Sequence, residues 1–144
     1  MKTKLSLLII VLLVILCSSC KTTYGPMKWT GGYTDTKIED DKFQVEISCN
    51  ALTADQTCKN YLLYRCAELT LENGFDYFII SESSDNSGMY YSIGTTVGTA
   101  METPAYNLTI VCGKGDKPKD NNYAYDAKVV QTNLKSKIGK IRTE

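Results

Sequence analysis

Residues 53–81 read TADQTCKNYLLYRCAELTLENGFDYFIIS, a helix pattern followed at once by a strand pattern. Leu62, Cys66 and Leu69 recur at helical spacing, with Leu63 and Thr70 on the adjoining edge. Thr53-Ala54-Asp55-Gln56 fits a capping box, in which the Thr hydroxyl and the Gln side chain satisfy N–H groups of the first turn. Asn73-Gly74 supplies the stop, because glycine enters the left-handed conformation that ends helices. The spacing predicts a helix over about 54–73. Phe75 to Ser81 is too apolar for a half-exposed strand and predicts a central strand covered on both faces.

Upstream, Thr34 to Ile38 and Lys42 to Ser48 flank Glu39-Asp40-Asp41, which predicts a hairpin with a solvated acidic turn. Phe43, Val45 and Ile47 alternate onto one side, and the same alternation turns Cys49 inward. The strand after the helix is expected to run parallel to this second arm. Downstream, Ser, Asn and Gly dominate residues 82–105, which read as a mobile loop. Gly94-Thr-Thr-Val-Gly98 lacks the lysine and the preceding strand of a phosphate loop. Tyr106, Leu108, Ile110 and Cys112 share one face of a return strand, and the sequon Asn107-Leu108-Thr109 within it carries no weight. Gly113 to Asn122 is a charged turn. Asp126 then caps a last helix carrying Ala127, Val130, Leu134 and Ile138, with Gly139 as its stop. The fold class is α+β, a small antiparallel or mixed sheet in the order ββαββα. One domain spans 29–139, with a loose tail at 140–144.

The first twenty residues do not belong to that domain. Lys2 and Lys4 precede an apolar run from Leu5 to Leu16 broken only by Ser6, and small residues follow. That is the order of a secretory signal over 1–19. A run of about twelve residues is too short for a membrane span, which needs roughly 20. Leu16-Cys17-Ser18-Ser19-Cys20 resembles the lipobox of bacterial lipoproteins, with Cys17 where Leu is usual. The resemblance implies cleavage before Cys20 and acyl chains on its sulfur and amino group. More than one chain is what stable anchoring requires. It also implies a place in the cell envelope: the outer membrane, since Lys21 rather than Asp follows the cysteine, or the plasma membrane in a Gram-positive host. Residues 20–28 contain Gly and Pro without periodicity and read as a tether.

The 144 residues carry 16 basic and 16 acidic side chains. A formal charge of zero excludes the electrostatic footprint of a nucleic-acid binder. Losing Lys2 and Lys4 with the signal would leave two more acidic than basic residues. There is no histidine, so the usual general base and the commonest metal ligand are both missing.

Beyond Cys20 lie Cys49, Cys58, Cys66 and Cys112, an even set suited to an oxidising compartment. Zinc ligation and ordinary buried thiols are the alternatives, the former without a CxxC pair to support it. Cys58 and Cys66 sit on one predicted helix, about 12 Å apart along its axis. A disulfide needs Cα atoms within about 7 Å, so that pair is excluded together with its companion Cys49–Cys112. The path of the chain favours Cys49–Cys58 with Cys66–Cys112.

Gly31-Gly32-Tyr33-Thr34-Asp35-Thr36 and the stretch from Tyr61 to Phe78 (YLLYRCAELTLENGFDYF) together resemble a family of small bacterial envelope lipoproteins. The similarity covers roughly residues 20–82, with a weaker echo at Tyr125-Asp126-Ala127. Cys66 stands where the family pattern has Ala. The resemblance implies a location and no particular chemistry.

The expected function is therefore a non-catalytic envelope module held to a membrane by lipid, with a binding, structural or sensing role and another envelope protein or a glycan as its expected partner. No metal or cofactor is expected. Tyr90, Tyr91, Tyr123 and Tyr125, with Tyr106 nearby, form a candidate contact surface, since Tyr offers large amphipathic area at low entropic cost. Arg65 and Glu68, three apart, are expected to pair on the exposed edge of the helix. The competing class is an envelope hydrolase working through a carboxylate pair. A thiol-redox enzyme has no CxxC to work with, and nucleophilic catalysis has no histidine partner.

Overall fold

The computed structural model describes residues 21–85, 88–91 and 100–139, with backbone alone at 88–91 and 100–102. Among these residues the chain forms β1 (Gly31–Lys37), β2 (Lys42–Cys49), α1 (Asp55–Glu72), β3 (Tyr77–Asp85), β4 (Gly88–Tyr91), β5 (Ala100–Thr103), β6 (Ala105–Gly113), β7 (Ala124–Asp126) and α2 (Ala127–Lys135). The fold is α+β. Five strands form one antiparallel sheet in the order β1-β2-β6-β3-β7, and β4 pairs with β5 in a separate two-stranded ladder.

The sheet follows from alternation. Phe43, Val45 and Ile47 of β2 stand opposite Ile110, Leu108 and Tyr106 of β6, so both strands send the same parity of side chains to one face. Phe78 and Cys112 are paired in the same way. These side chains meet Leu62, Cys66 and Leu69 of α1 and Ala127 of α2 in a single core. The opposite face is polar, with Gln44, Glu46, Asn107, Thr109, Glu82 and Ser84 side by side. A half-solvated antiparallel sheet has this division.

Several expectations need correction. β2 and β3 do run in the same direction, but β6 lies between them and every neighbouring pair is antiparallel. The central strand is thus β6. β3 is buried at Phe78, half-buried from Tyr77 to Ile80 and exposed from Ser81 onward. The expected loop at 82–105 begins as the end of β3 and contains the β4–β5 ladder. Residues 92–99 lie outside the described residues, as do 1–20 and 140–144.

The expected capping box does not form. Ala54 is the N-cap of α1 and offers no side-chain bond, because the Thr53 hydroxyl donates instead to Asn50 Oδ1 at 2.8 Å and accepts the Thr22 N–H at 2.9 Å. Asp126 does cap α2, accepting the Val129 N–H at 2.9 Å. That helix ends at Lys135, and Ile138 is buried just beyond it.

The expected tether is also built into the fold. Thr22 and Tyr24 are each 2% exposed. The Thr22 hydroxyl donates to the Thr30 carbonyl at 2.6 Å and accepts the Asn50 N–H at 2.8 Å. Met27 N–H donates to Tyr33 O, and Tyr33 N–H donates to Gly25 O, laying residues 25–28 along β1. Two glycines permit this contact. Gly31 and Gly32 have φ of 99° and 150°, and a Cβ on Gly32 would stand 2.4 Å from the Pro26 carbonyl oxygen.

Candidate functional site

The two segments singled out in the sequence, GGYTDT and the helix, meet at one place. Tyr33 and Asp35 are two apart on β1 and point to the same side. Arg65, Glu68 and Glu72 follow at helical spacing on α1. The Arg65 Nε donates to Asp35 Oδ1 at 3.0 Å, while one terminal nitrogen donates to Glu72 Oε1 at 3.1 Å and Glu68 Oε2 at 3.5 Å. Its guanidinium lies 4.6 Å from the centre of the Tyr33 ring.

Tyr24, from the N-terminal segment, closes the cluster. Its hydroxyl donates to Glu68, and its ring packs at 5.1–5.7 Å against Tyr33, Tyr61 and Tyr64. Arg65 is 9% exposed, so the expected pairing on an open helix edge is corrected: it is enclosed by β1 and by residues 22–28, which form an N-terminal strap across the domain. Sequence spacing revealed only the local partner, Glu68. Asp35 and Tyr24 lie 30 and 44 residues from the groups they bind.

The electrostatics make this a fastener. Burial opposes the charge on Arg65, but the Asp35 hydrogen bond and the surrounding charges outweigh it and hold the guanidinium above its ordinary range. Burial, then the bond to Glu68, pushes the Tyr24 hydroxyl well above the usual phenol range. Tyr33 and Tyr64 are pushed up mainly by burial. A guanidinium shared by three carboxylates has little left to offer an anionic ligand, and phenols held neutral are poor nucleophiles. Glu68 and Glu72 both bond the same arginine.

The cysteines divide. Cys49 and Cys58 form a disulfide with Cα atoms 6.1 Å apart, joining the end of β2 to the first turns of α1. Cys66 and Cys112 are free thiols, which corrects the second expected bridge. In place of a bridge, the Thr70 hydroxyl donates to the Cys66 carbonyl at 2.7 Å and sits 3.5 Å from the Cys112 sulfur. Cys112 is thereby satisfied without a covalent partner. Burial pushes both thiols up, so they are inert at neutral pH. Among the described residues no group of three or more His, Cys, Asp or Glu side chains is placed to hold a metal ion.

The candidate tyrosine surface is split. Tyr125 is half-buried and stacks on Phe78 with ring centres 5.4 Å apart, whereas Tyr123 is 65% exposed. Tyr106 and Tyr125 both line a groove of about 450 Å³ between α1 and strands β3 and β6, floored by Leu62, Leu63, Ile80 and Leu108. At its rim Lys59 pairs with Asp55 at 2.8 Å and lies 5.0 Å from the Tyr106 ring centre. The side chains of Tyr90 and Tyr91 lie outside the described residues, and so does Cys20.

Among the described residues no helix is long and apolar enough to cross a membrane. No protein-family model, curated protein or solved structure matches the chain.

Proposed function

We propose that this chain is a lipid-anchored envelope protein whose folded domain serves as a non-catalytic contact module. The observation that carries the reading is the leader itself: Lys2 and Lys4, an apolar run, then Leu16-Cys17-Ser18-Ser19-Cys20. The Cys49–Cys58 disulfide supports an oxidising compartment, where such bonds persist. The enclosed Arg65 cluster, which joins β1 to α1, supports a structural use for the most specific segments of the sequence. The groove that brings Tyr106 and Tyr125 together supports a binding role. A carboxylate hydrolase has less support, since no motif in the sequence places a carboxylate pair and the chain has no histidine to assist one.

Metabolic labelling with a palmitate analogue tests the anchor. The wild-type chain should take up label and fractionate with membranes, and Cys20→Ala should do neither. Equal labelling of both chains, or an unlabelled wild type, would refute the reading.

A further inference from the structure

Three exposed apolar side chains belong to the N-terminal strap, to the turn that follows it and to the 50–53 turn that it contacts. Trp29 is 97% exposed, Leu52 51% and Met27 42%. Trp29 and Leu52 are carried on tight turns, and Met27 lies just before the first of them. Gly31 N–H donates to the Lys28 carbonyl at 2.9 Å, which puts Trp29 at the tip of one turn. Thr53 N–H donates to the Asn50 carbonyl at 2.9 Å and closes the turn that bears Leu52.

Both turns are tied to Thr22, whose hydroxyl bonds Thr30 and Asn50 and whose N–H bonds Thr53. One buried residue thus fixes them side by side, and Lys21 leaves from the same spot. Lys21 and Lys28 are both exposed and bring positive charge to the patch.

We propose that Trp29, with Met27, Leu52, Lys21 and Lys28, is a membrane-interface contact that seats the domain on a phospholipid surface. The proposal rests on the lipid-anchor reading, which puts acyl chains at Cys20, one residue before Lys21. Tryptophan has an apolar body and one N–H, the combination that collects at the headgroup level of bilayers. Lysines beside it are attracted to anionic headgroups. An indole on a turn braced by hydrogen bonds presents its ring without first ordering a loop, which lowers the cost of contact.

Trp29 is the chain's single tryptophan, so its fluorescence reports this turn alone. The full chain, with its acylation read by mass spectrometry, is reconstituted into vesicles of phosphatidylcholine and phosphatidylglycerol. Lipids brominated at shallow acyl positions should remove most of the emission, and aqueous acrylamide should quench it weakly. A chain carrying Trp29→Phe with Val129→Trp moves the reporter to exposed α2, where acrylamide quenching should be several-fold stronger and the bromines without effect.

An acylated chain whose Trp29 is quenched by acrylamide and untouched by brominated lipid would overturn the proposal and leave the anchor reading intact. Shielding from acrylamide that grows with protein concentration, without lipid quenching, would assign the patch to a second copy and also overturn it. A chain without acyl groups would refute the anchor reading. The proposal is then decided by mixing that chain with the same vesicles, where absent bromine quenching overturns it and strong quenching sustains it.

Discussion

The two halves of α1 use the same chemical parts in opposite settings. Near its start Lys59 pairs with Asp55 and lies over the Tyr106 ring; farther along Arg65 pairs with Asp35 and Glu72 and lies over the Tyr33 ring. The first group stands in water: both charged side chains are about half exposed, and the Cys49–Cys58 disulfide ties this end to β2. The second is enclosed, with Arg65 side chain only 11% exposed. Where water screens the charges, the helix is held by a covalent bond. Where it is excluded, breaking the pairing is what costs, because an enclosed ion leaves no cheap way to lose its partner.

Four measurements break or sharpen that contrast. Arg65→Met should have the largest effect, leaving Asp35 and Glu68 beside each other without a cation. Because Glu72 is half exposed and can rehydrate, the loss belongs at the low end for enclosed pairs, about 3 kcal/mol by urea unfolding. A loss too small to measure would place the Arg65 cluster in the same class as the surface pair. Replacing Cys49 and Cys58 together by Ala should cost about 2–3 kcal/mol, and the same protein under reducing conditions should unfold at nearly the same midpoint.

Alkali should act on the enclosed half. The Cys66 thiol is raised by burial when folded and returns toward about 9 when unfolded, so the unfolded chain releases its proton first. Its contribution is complete below about pH 9 and is lost as pH climbs, by about 1.4 kcal/mol per pH unit for one group. Tyr24 adds to the slope above about pH 10. Cys66→Ala should flatten the first part of that decline; an unchanged slope would mean the thiol already ionises in the folded state. Lys59→Ala should be the smallest, with an unfolding midpoint inside experimental error and no dependence on salt beyond that of the wild type.

What was legible in the sequence is what neighbours along the chain decide. Phe43, Val45 and Ile47 alternate, so β2 and its buried face could be read off directly. Asp126 caps α2 from three residues away, and no other element competes for its carboxylate. Thr53 has the same local signal, yet Thr22 and Asn50 claim its hydroxyl from outside the helix. The Arg65 cluster was hidden for the same reason, since Tyr24 and Asp35 arrive from a strap and a strand that periodicity does not connect to α1. Strand order was equally silent. Nothing in the alternation of β6 says that it inserts between β2 and β3. The packing of the strap is not legible either, because Gly and Pro without periodicity describe an irregular path and say nothing about whether that path is packed.

The strap also bears on how this protein avoids sticking to copies of itself. An open sheet offers its outermost strands as templates for foreign strands. Here one border is β7, three residues long and running straight into a helix. The other is β1, where residues 25–28 occupy the first half of the free backbone edge and Asp35 and Lys37 mark the rest with charge. A chain trimmed back to Trp29 would uncover that border to foreign strands at the same time as it lost the buried packing of Thr22 and Tyr24.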